Sequence, residues 1–210
     1  MLQTSRLQLR ELNSHDCPAL HEIESDPRVT RYLSFEPRTP DEVRAYLETA
    51  IRDQQATPRL TFDFAITLRP LPDRALAFAP DTLIGRCGLG IRRPEHREAM
   101  IWYELHPAAT RHGYAFEAAT AVLEFGFQEL NLHRIWADCD PRNLASCRVA
   151  QRLGMQLEGH LRENYFLKGE WCSTAVYGML EQEWRNRLRN SYEPGVNSKV
   201  CSGVMSPEPP

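Results

Sequence analysis

Polar and apolar positions alternate from the start of the chain: Leu7 and Leu9 are separated by Gln8 and flanked by Arg6 and Arg10, which predicts a half-buried strand over residues 4–10. Helix-start chemistry follows over 14–23, with Leu20 and Ile23 on one face. After Pro37, the run Thr39-Pro40-Asp41-Glu42 supplies a capping hydroxyl, a proline at the first helical position and acids in the first turn, so a second helix is expected to run to about Asp53. From Leu60 the period becomes two, with Phe62, Phe64 and Ile66 on one face and Thr61, Asp63 and Ala65 on the other. Further strands are predicted over 82–91 and 99–105, giving three consecutive antiparallel strands. The stretch from Arg69 to Pro80 is longer than a hairpin needs and reads as a surface ornament rather than a lid.

Between Gly113 and Leu130 the period is helical, since Phe116, Ala119, Leu123, Phe127 and Leu130 recur at steps of three and four. A buried strand over 133–139, a Pro141-Arg142-Asn143 turn, a helix over 145–153 stopped by Gly154, and strands near 155–161 and 173–180 complete the pattern. Strands alternate with helices here, so part of the sheet is expected to be parallel. After Arg189 the sequence loses periodicity and ends in Ser206-Pro207-Glu208-Pro209-Pro210, which reads as a disordered tail. The expected organisation is one domain over 1–187 and a tail over 188–210, of α/β class, with helices on both faces of a mixed, mostly antiparallel sheet of about seven strands.

At 210 residues the chain is long enough for one real core. A formal net charge of -3 gives no general electrostatic reason to bind nucleic acid or an anionic membrane. No apolar run approaches the length of a spanning helix, and Met1-Leu2-Gln3-Thr4-Ser5-Arg6 lacks the apolar core of a signal peptide, so the protein is expected in the cytoplasm. Cys17, Cys87, Cys139, Cys147, Cys172 and Cys201 are irregularly spaced and are expected to be free thiols.

The informative segment for chemistry runs from Leu105 to Ala118, where a strand ends and the long helix begins at Gly113. A glycine at a helix N-terminus is either turn chemistry or an anion site, and Arg111 and His112 would add charge for a pyrophosphate. The chain contains no Gly-x-x-x-x-Gly-Lys-Ser/Thr loop and no Gly-x-Gly-x-x-Gly, so kinase, ATPase and dehydrogenase readings lose their support. Its seven histidines form no His-Glu-x-x-His and no paired ligand spacing, and no metal is expected.

Taken in order, several motifs resemble the GNAT N-acetyltransferases, in particular the RimJ/RimL-like branch that acetylates protein N-termini. They are Thr4-x-Arg6-Leu7-x-Leu9-Arg10, Tyr103-x-Leu105-His106-Pro107, Gly113-Tyr114-Ala115-x-Glu117-Ala118, Pro141-x-Asn143-x-x-Ser146, Leu153-Gly154-Met155, Glu158-Gly159, Gly169-x-Trp171 and Glu183-Trp184. The resemblance implies a sheet splayed in the middle, acetyl-CoA as co-substrate and a primary amine as acceptor. That amine would be the N-terminus of a ribosomal or other protein, or a small amine such as an antibiotic or polyamine. A non-catalytic acyl-CoA-binding module is the alternative of a different class, and a homodimer is plausible only by analogy.

The resemblance also implies a site. Coenzyme A would be held by Leu105, Arg111, His112, Gly113, Tyr114, Ala115, Asn143 and Ser146, with the thioester carbonyl near a backbone N–H of the strand ending at Leu105. The branch often carries a further glycine where Arg111 stands. Glu104 is the leading general-base candidate, or else an exposed strand acid; Asn143 either holds the pantetheine arm or opens a helix. Ser146 either protonates the leaving thiolate or bonds backbone, and Tyr165 either handles a proton, contacts substrate or packs. Arg31, Tyr32 and Phe35 are candidate cleft residues, and the acid usually found just after Gly-x-Trp is replaced by Cys172-Ser173.

Overall fold

The computed structural model describes residues 1–70, 78, 79 and 81–192. Two short strands, β1 (Leu2–Gln3) and β2 (Leu7–Glu11), precede the helices α1 (Cys17–Glu24), α2 (Pro27–Thr30) and α3 (Pro40–Asp53). Then come β3 (Thr61–Leu68), β4 (Leu83–Arg93), β5 (Glu98–Leu105), α4 (Tyr114–Gln128), β6 (Arg134–Cys139), α5 (Leu144–Arg152), β7 (Gln156–Leu167), β8 (Glu170–Leu180) and α6 (Glu181–Tyr192). The eight strands form one sheet in the order β1-β2-β3-β4-β5-β6-β8-β7. Helix α6 carries the chain past the domain boundary expected at residue 187, and the tail from 193 and most of the 69–80 stretch lie outside the described residues.

Local chemistry accounts for the helix starts. Thr39 and Glu42 form a reciprocal capping box, with the Thr39 N–H donating to Glu42 Oε2 at 2.8 Å and Pro40 opening α3. Thr39→Ala is expected to cost about 1 kcal/mol, readable as a lower urea midpoint with an unchanged slope. In α4 the buried stripe is Ala118, Ala119, Val122, Leu123, Gly126 and Phe127, while Phe116 and Leu130 are only half-buried. Ala119, Leu123 and Phe127 are buried as expected, and the buried face is wider than predicted because α4 lies so close to the sheet that small residues face it: a Cβ on Gly126 would come within 2.7 Å of Ile135 and 2.9 Å of Leu89.

The sheet is covered on both faces. Leu89, Ile101 and Ile135 pack under α4, and Ala65 and Leu83 pack under α1 and α3 with Leu20, Val43 and Leu47. Along β5 the faces alternate: Met100, Trp102 and Glu104 look toward the α1 and α3 side, Ile101 and Tyr103 toward α4. A Cβ on Gly88 would lie 2.6 Å from the Trp102 ring, so the glycine makes room for that indole on the floor of the α1 face.

The feature that positions a site is the meeting of β5 and β6. They pair in parallel through Glu98↔Arg134, Ala99↔Ile135 and Met100↔Trp136 and no further. Beyond Met100, β5 stays with β4 as far as Leu105, whereas β6 follows β8 from Arg134↔Leu180 to Cys139↔Ala175. The strands therefore part, leaving a gap between 101–105 and 137–139. The hairpin of β7 and β8 is longer than the predicted strands, and Lys168 at its tip donates to the Thr30 carbonyl at 2.6 Å, tying it to α2.

Candidate active site

Residues 106–113 join β5 to α4. His106 Nδ1 accepts the Ala108 N–H at 3.1 Å and closes a single 3-10 turn, after which Arg111 and Gly113 both adopt left-handed backbone, at φ +65° and +79°. Glycine holds that conformation without penalty; at Arg111, where the resemblance often has glycine, it costs roughly 1 kcal/mol. Gly113 is the N-cap of α4 and no side chain caps the first turn, so the positive end of a 15-residue helix faces outward.

The N-terminal strands anchor this loop. Glu117 accepts from the Arg6 N–H at 2.9 Å, from Arg6 Nε at 2.6 Å and from the Thr4 hydroxyl, while Arg6 Nη1 donates to the His112 carbonyl at 2.9 Å. Burial pushes the Glu117 carboxyl up, but the Thr4 and Arg6 hydrogen bonds outweigh it and hold the group below its ordinary value. A depressed acid stabilises the fold above its unfolded pKa and ceases to do so as pH falls through its folded pKa. Glu117→Gln is therefore expected to flatten the fall in Tm below about pH 4.5, measured as a Tm series against pH.

Arg111, His112 and Gly113 line an open cavity of about 680 Å³ together with Arg6, Phe116, Glu117 and Arg152. The Arg152 guanidinium rests 4.1 Å over the Phe116 ring. Tyr114 packs its ring into the core, 3% exposed, and stacks on His112 at 5.4 Å. Leu105 is half-buried at the end of β5, against Gly85.

On the α4 side of the gap, the Tyr103 hydroxyl lies 3.0 Å from the Ser146 carbonyl and 3.2 Å from Ser146 Oγ. Asn143 is the N-cap of α5 and accepts the Ser146 N–H at 3.2 Å. Cys139 and Cys147 stand with sulfurs 3.2 Å apart. Burial raises the Cys139 thiol to about 12 and raises the Tyr103 hydroxyl, so both are protonated at neutral pH. Tyr103 belongs to the Tyr103-x-Leu105-His106-Pro107 motif, but sequence alone assigns it no role in the site, because alternation along β5 does not tell which face lines the gap.

On the opposite face Glu104 is not an exposed strand acid. Its side chain is 8% exposed and accepts from Arg86 Nε at 2.8 Å. Arg86, itself buried, also pairs with Glu24 at 2.7 Å and Asp63 at 2.8 Å and bonds the Tyr46 hydroxyl, while Arg38 takes the second oxygen of Glu24 at 2.8 Å. Asp63 Oδ1 is buried without a partner. Burial pushes Glu24 up to about 6 against the opposing pull of Arg86.

Tyr165 lies inside β7, half-buried, across from Cys172. Burial raises its hydroxyl, and the nearby Cys172, Asp140 and Asp138 push the same way. Where the resemblance leads one to expect an acid, Cys172 meets Arg142 at 3.2 Å, and Arg142 is held by Asp140 at 2.6 Å and Glu170 at 2.9 Å. Of the cleft candidates, Arg31 lies 5.2 Å over Tyr32 and Phe35 is covered by Arg38 at 4.0 Å. Among the described residues, Cys17, Cys87, Cys139, Cys147 and Cys172 are free thiols, no group of three or more His, Cys, Asp or Glu could hold a metal ion, and no helix is long and apolar enough to cross a membrane.

Residues 6–156 match the family model described as an acetyltransferase (GNAT) domain. An uncharacterized N-acetyltransferase of Bacillus subtilis, YnaD, is 33% identical over 87% of this chain and 98% of its own length. Among solved structures, a GNAT-family acetyltransferase from Bacillus anthracis is 29% identical, with a TM-score of 0.73 over 87% of this chain and 99% of its own. Spermidine N-acetyltransferase from Vibrio cholerae, in complex with CoA and spermine, is similar at 23% identity and a TM-score of 0.73, covering 87% and 100%. RimL, a ribosomal L7/L12 alpha-N-protein acetyltransferase in complex with CoA, is similar at 20% identity and a TM-score of 0.72, covering 86% and 97%.

Proposed function

The chain belongs to the GNAT family and is an acetyl-CoA-dependent N-acetyltransferase, and from that premise we propose that it is a cytoplasmic enzyme acetylating a protein N-terminal α-amine by direct attack in a ternary complex. The uncapped N-terminus of α4, with Arg111, His112 and Gly113 around it, receives the pyrophosphate of coenzyme A. The pantetheine arm then passes Asn143 into the gap between β5 and β6. Because the His106 N–H is spent on Ile84 of β4, strand alternation directs the N–H groups of Tyr103 and Leu105 toward the gap, where they suit a developing oxyanion. Ser146, in contact with the Tyr103 hydroxyl, returns a proton to the departing thiolate in this reading. Tyr165 contacts the acceptor, and Glu104, engaged by Arg86, fixes the floor beneath it.

The observation that favours an α-amine over a polyamine is that the carboxylates around the acceptor side, Asp138 apart, are committed to arginines: Glu24, Asp63 and Glu104 to Arg86, and Asp140 and Glu170 to Arg142. A polycation would have to break those pairs, whereas an α-amine with a pKa of about 8 needs little help to lose its proton. The contrary observation is Asp138, an exposed carboxylate that forms no ion pair among the described residues, which supports a second reading in which the acceptor is a spermidine-like amine. Initial rates of CoA release with a peptide of free N-terminus and with spermidine decide between them. The first reading requires kcat/KM at least about tenfold higher for the peptide; the reverse ratio overturns it. A homodimer would use the exposed apolar edge at Leu157, Leu161, Phe166 and Trp171.

A further inference from the structure

Asp138 is the first residue of β6 beyond the last β5–β6 pair whose side chain lies on the face of Trp102 and Glu104. Trp136 pairs with Met100, and Ile135 and Ala137 are buried toward α4, which leaves Asp138 on the other face, where β5 has already turned away. The residue is exposed, although Ala137 before it is buried and Cys139 after it is half-buried. Among the described residues it forms no ion pair, in contrast to Glu24, Asp63 and Glu104, which Arg86 engages, and to Asp140, which Arg142 engages. The charged and titratable groups that share its face are Arg92 of β4, Glu104 of β5, Asp140 after β6 and Tyr165 of β7; β8 contributes Thr174 and Val176, which carry no charge. Surrounding protein pushes the Asp138 carboxyl above its ordinary value, and Arg92 only partly offsets this.

We propose that Asp138 is the group that binds the acceptor ammonium on the far side of the gap and takes its proton. The step rests on the acetyltransferase reading above. The ammonium loses one proton to the Asp138 carboxylate, and the free amine nitrogen attacks the thioester carbonyl carbon. The carbon–sulfur bond breaks as the carbon–nitrogen bond is retained. The second nitrogen proton balances the thiolate, giving amide and CoA thiol, and Asp138 releases its proton to water. An accessible carboxylate free of ion pairs can do this without dismantling a buried network, which Glu104 cannot.

The test compares wild type with Asp138→Asn and Asp138→Ser from pH 6 to 9.5, using spermidine and, separately, a hexapeptide with a free N-terminus, with acetyl-CoA affinity measured by calorimetry on each protein. For whichever amine the wild type uses, kcat/KM at pH 7 is expected to fall about 100-fold in both variants, with acetyl-CoA affinity unchanged. The deficit should shrink as pH rises toward the amine's own pKa, since an amine already neutral needs no base. A variant that binds acetyl-CoA and keeps kcat/KM within about threefold of wild type overturns the proposal, as does a deficit independent of pH. Wild type that binds acetyl-CoA but turns over neither amine overturns the acceptor reading and this proposal with it; full turnover in the variants overturns this proposal alone.

Discussion

Replacing Gly113 by aspartate is expected to weaken acetyl-CoA binding more than about 100-fold while leaving the domain folded. Two separable effects meet at this position. The first is backbone: φ is +79°, so any side chain brings a left-handed strain of roughly 1 kcal/mol, which aspartate tolerates better than most residues. Space is not limiting, because a Cβ there meets nothing nearer than Arg6 Nη2 at 3.5 Å. The second is charge. A carboxylate about 4 Å from a pyrophosphate oxygen repels it by about 4 kcal/mol near a protein surface, and it cancels the helix end that made the position attractive. Gly113→Ala separates the two, since it carries the strain without the charge. Calorimetric titration of acetyl-CoA into both variants should therefore find the alanine protein within about tenfold of wild type and the aspartate protein without measurable binding. Equal losses would mean that loop conformation, not anion binding, is what Gly113 supplies.

The parts of the fold legible in sequence are those decided locally. The capping box at Thr39, the helical period through Leu123 and the period-two strands around Phe64 each depend on neighbours a few residues away. The β7–β8 hairpin was less legible because β7 is exposed along most of both faces, so no apolar alternation marks its length. The same limit governs the site. The loop at Gly113 announces itself by composition, but the partner of Glu104 is Arg86, across the sheet, and nothing in the run from Met100 to Leu105 tells which face is wet. Tyr103 and Ser146 likewise meet only because α5, which packs on β6 and β8, brings its first turn across the gap from β5. Asp138 is not legible in the sequence for a structural reason: it sits in a stretch that reads as a buried strand, and only the parting of β5 from β6 exposes it.

Arg86→Met is expected to destabilise the fold by about 3–5 kcal/mol at pH 7. The side chain is 6% exposed and stands among Glu24, Asp63 and Glu104, which are 0%, 3% and 8% exposed. Their desolvation is met chiefly by this one guanidinium, with Arg38 helping only Glu24. Methionine would fill much of the volume, so the loss isolates charge from packing. The pH dependence gives the sharper test. In the wild type Glu24 is raised to about 6 from an ordinary 4.5, so the folded state holds more protons than the unfolded state between those values. Stability from this group is therefore complete below about pH 4.5 and is lost as pH rises through about 6. Removing Arg86 pushes the buried carboxyls further up and deepens that slope: the deficit of the methionine variant should be largest near pH 8 and shrink on acidification toward pH 5. Urea unfolding across that range reads it directly. Neutralising the acids in the same background, as Arg86→Met with Glu24→Gln, Asp63→Asn and Glu104→Gln, is expected to recover most of the loss at pH 8, because no unpaired charge remains buried. A deficit that stays constant with pH, or one below about 1 kcal/mol, would mean that water reaches these carboxylates and that Arg86 does not hold the acceptor face together.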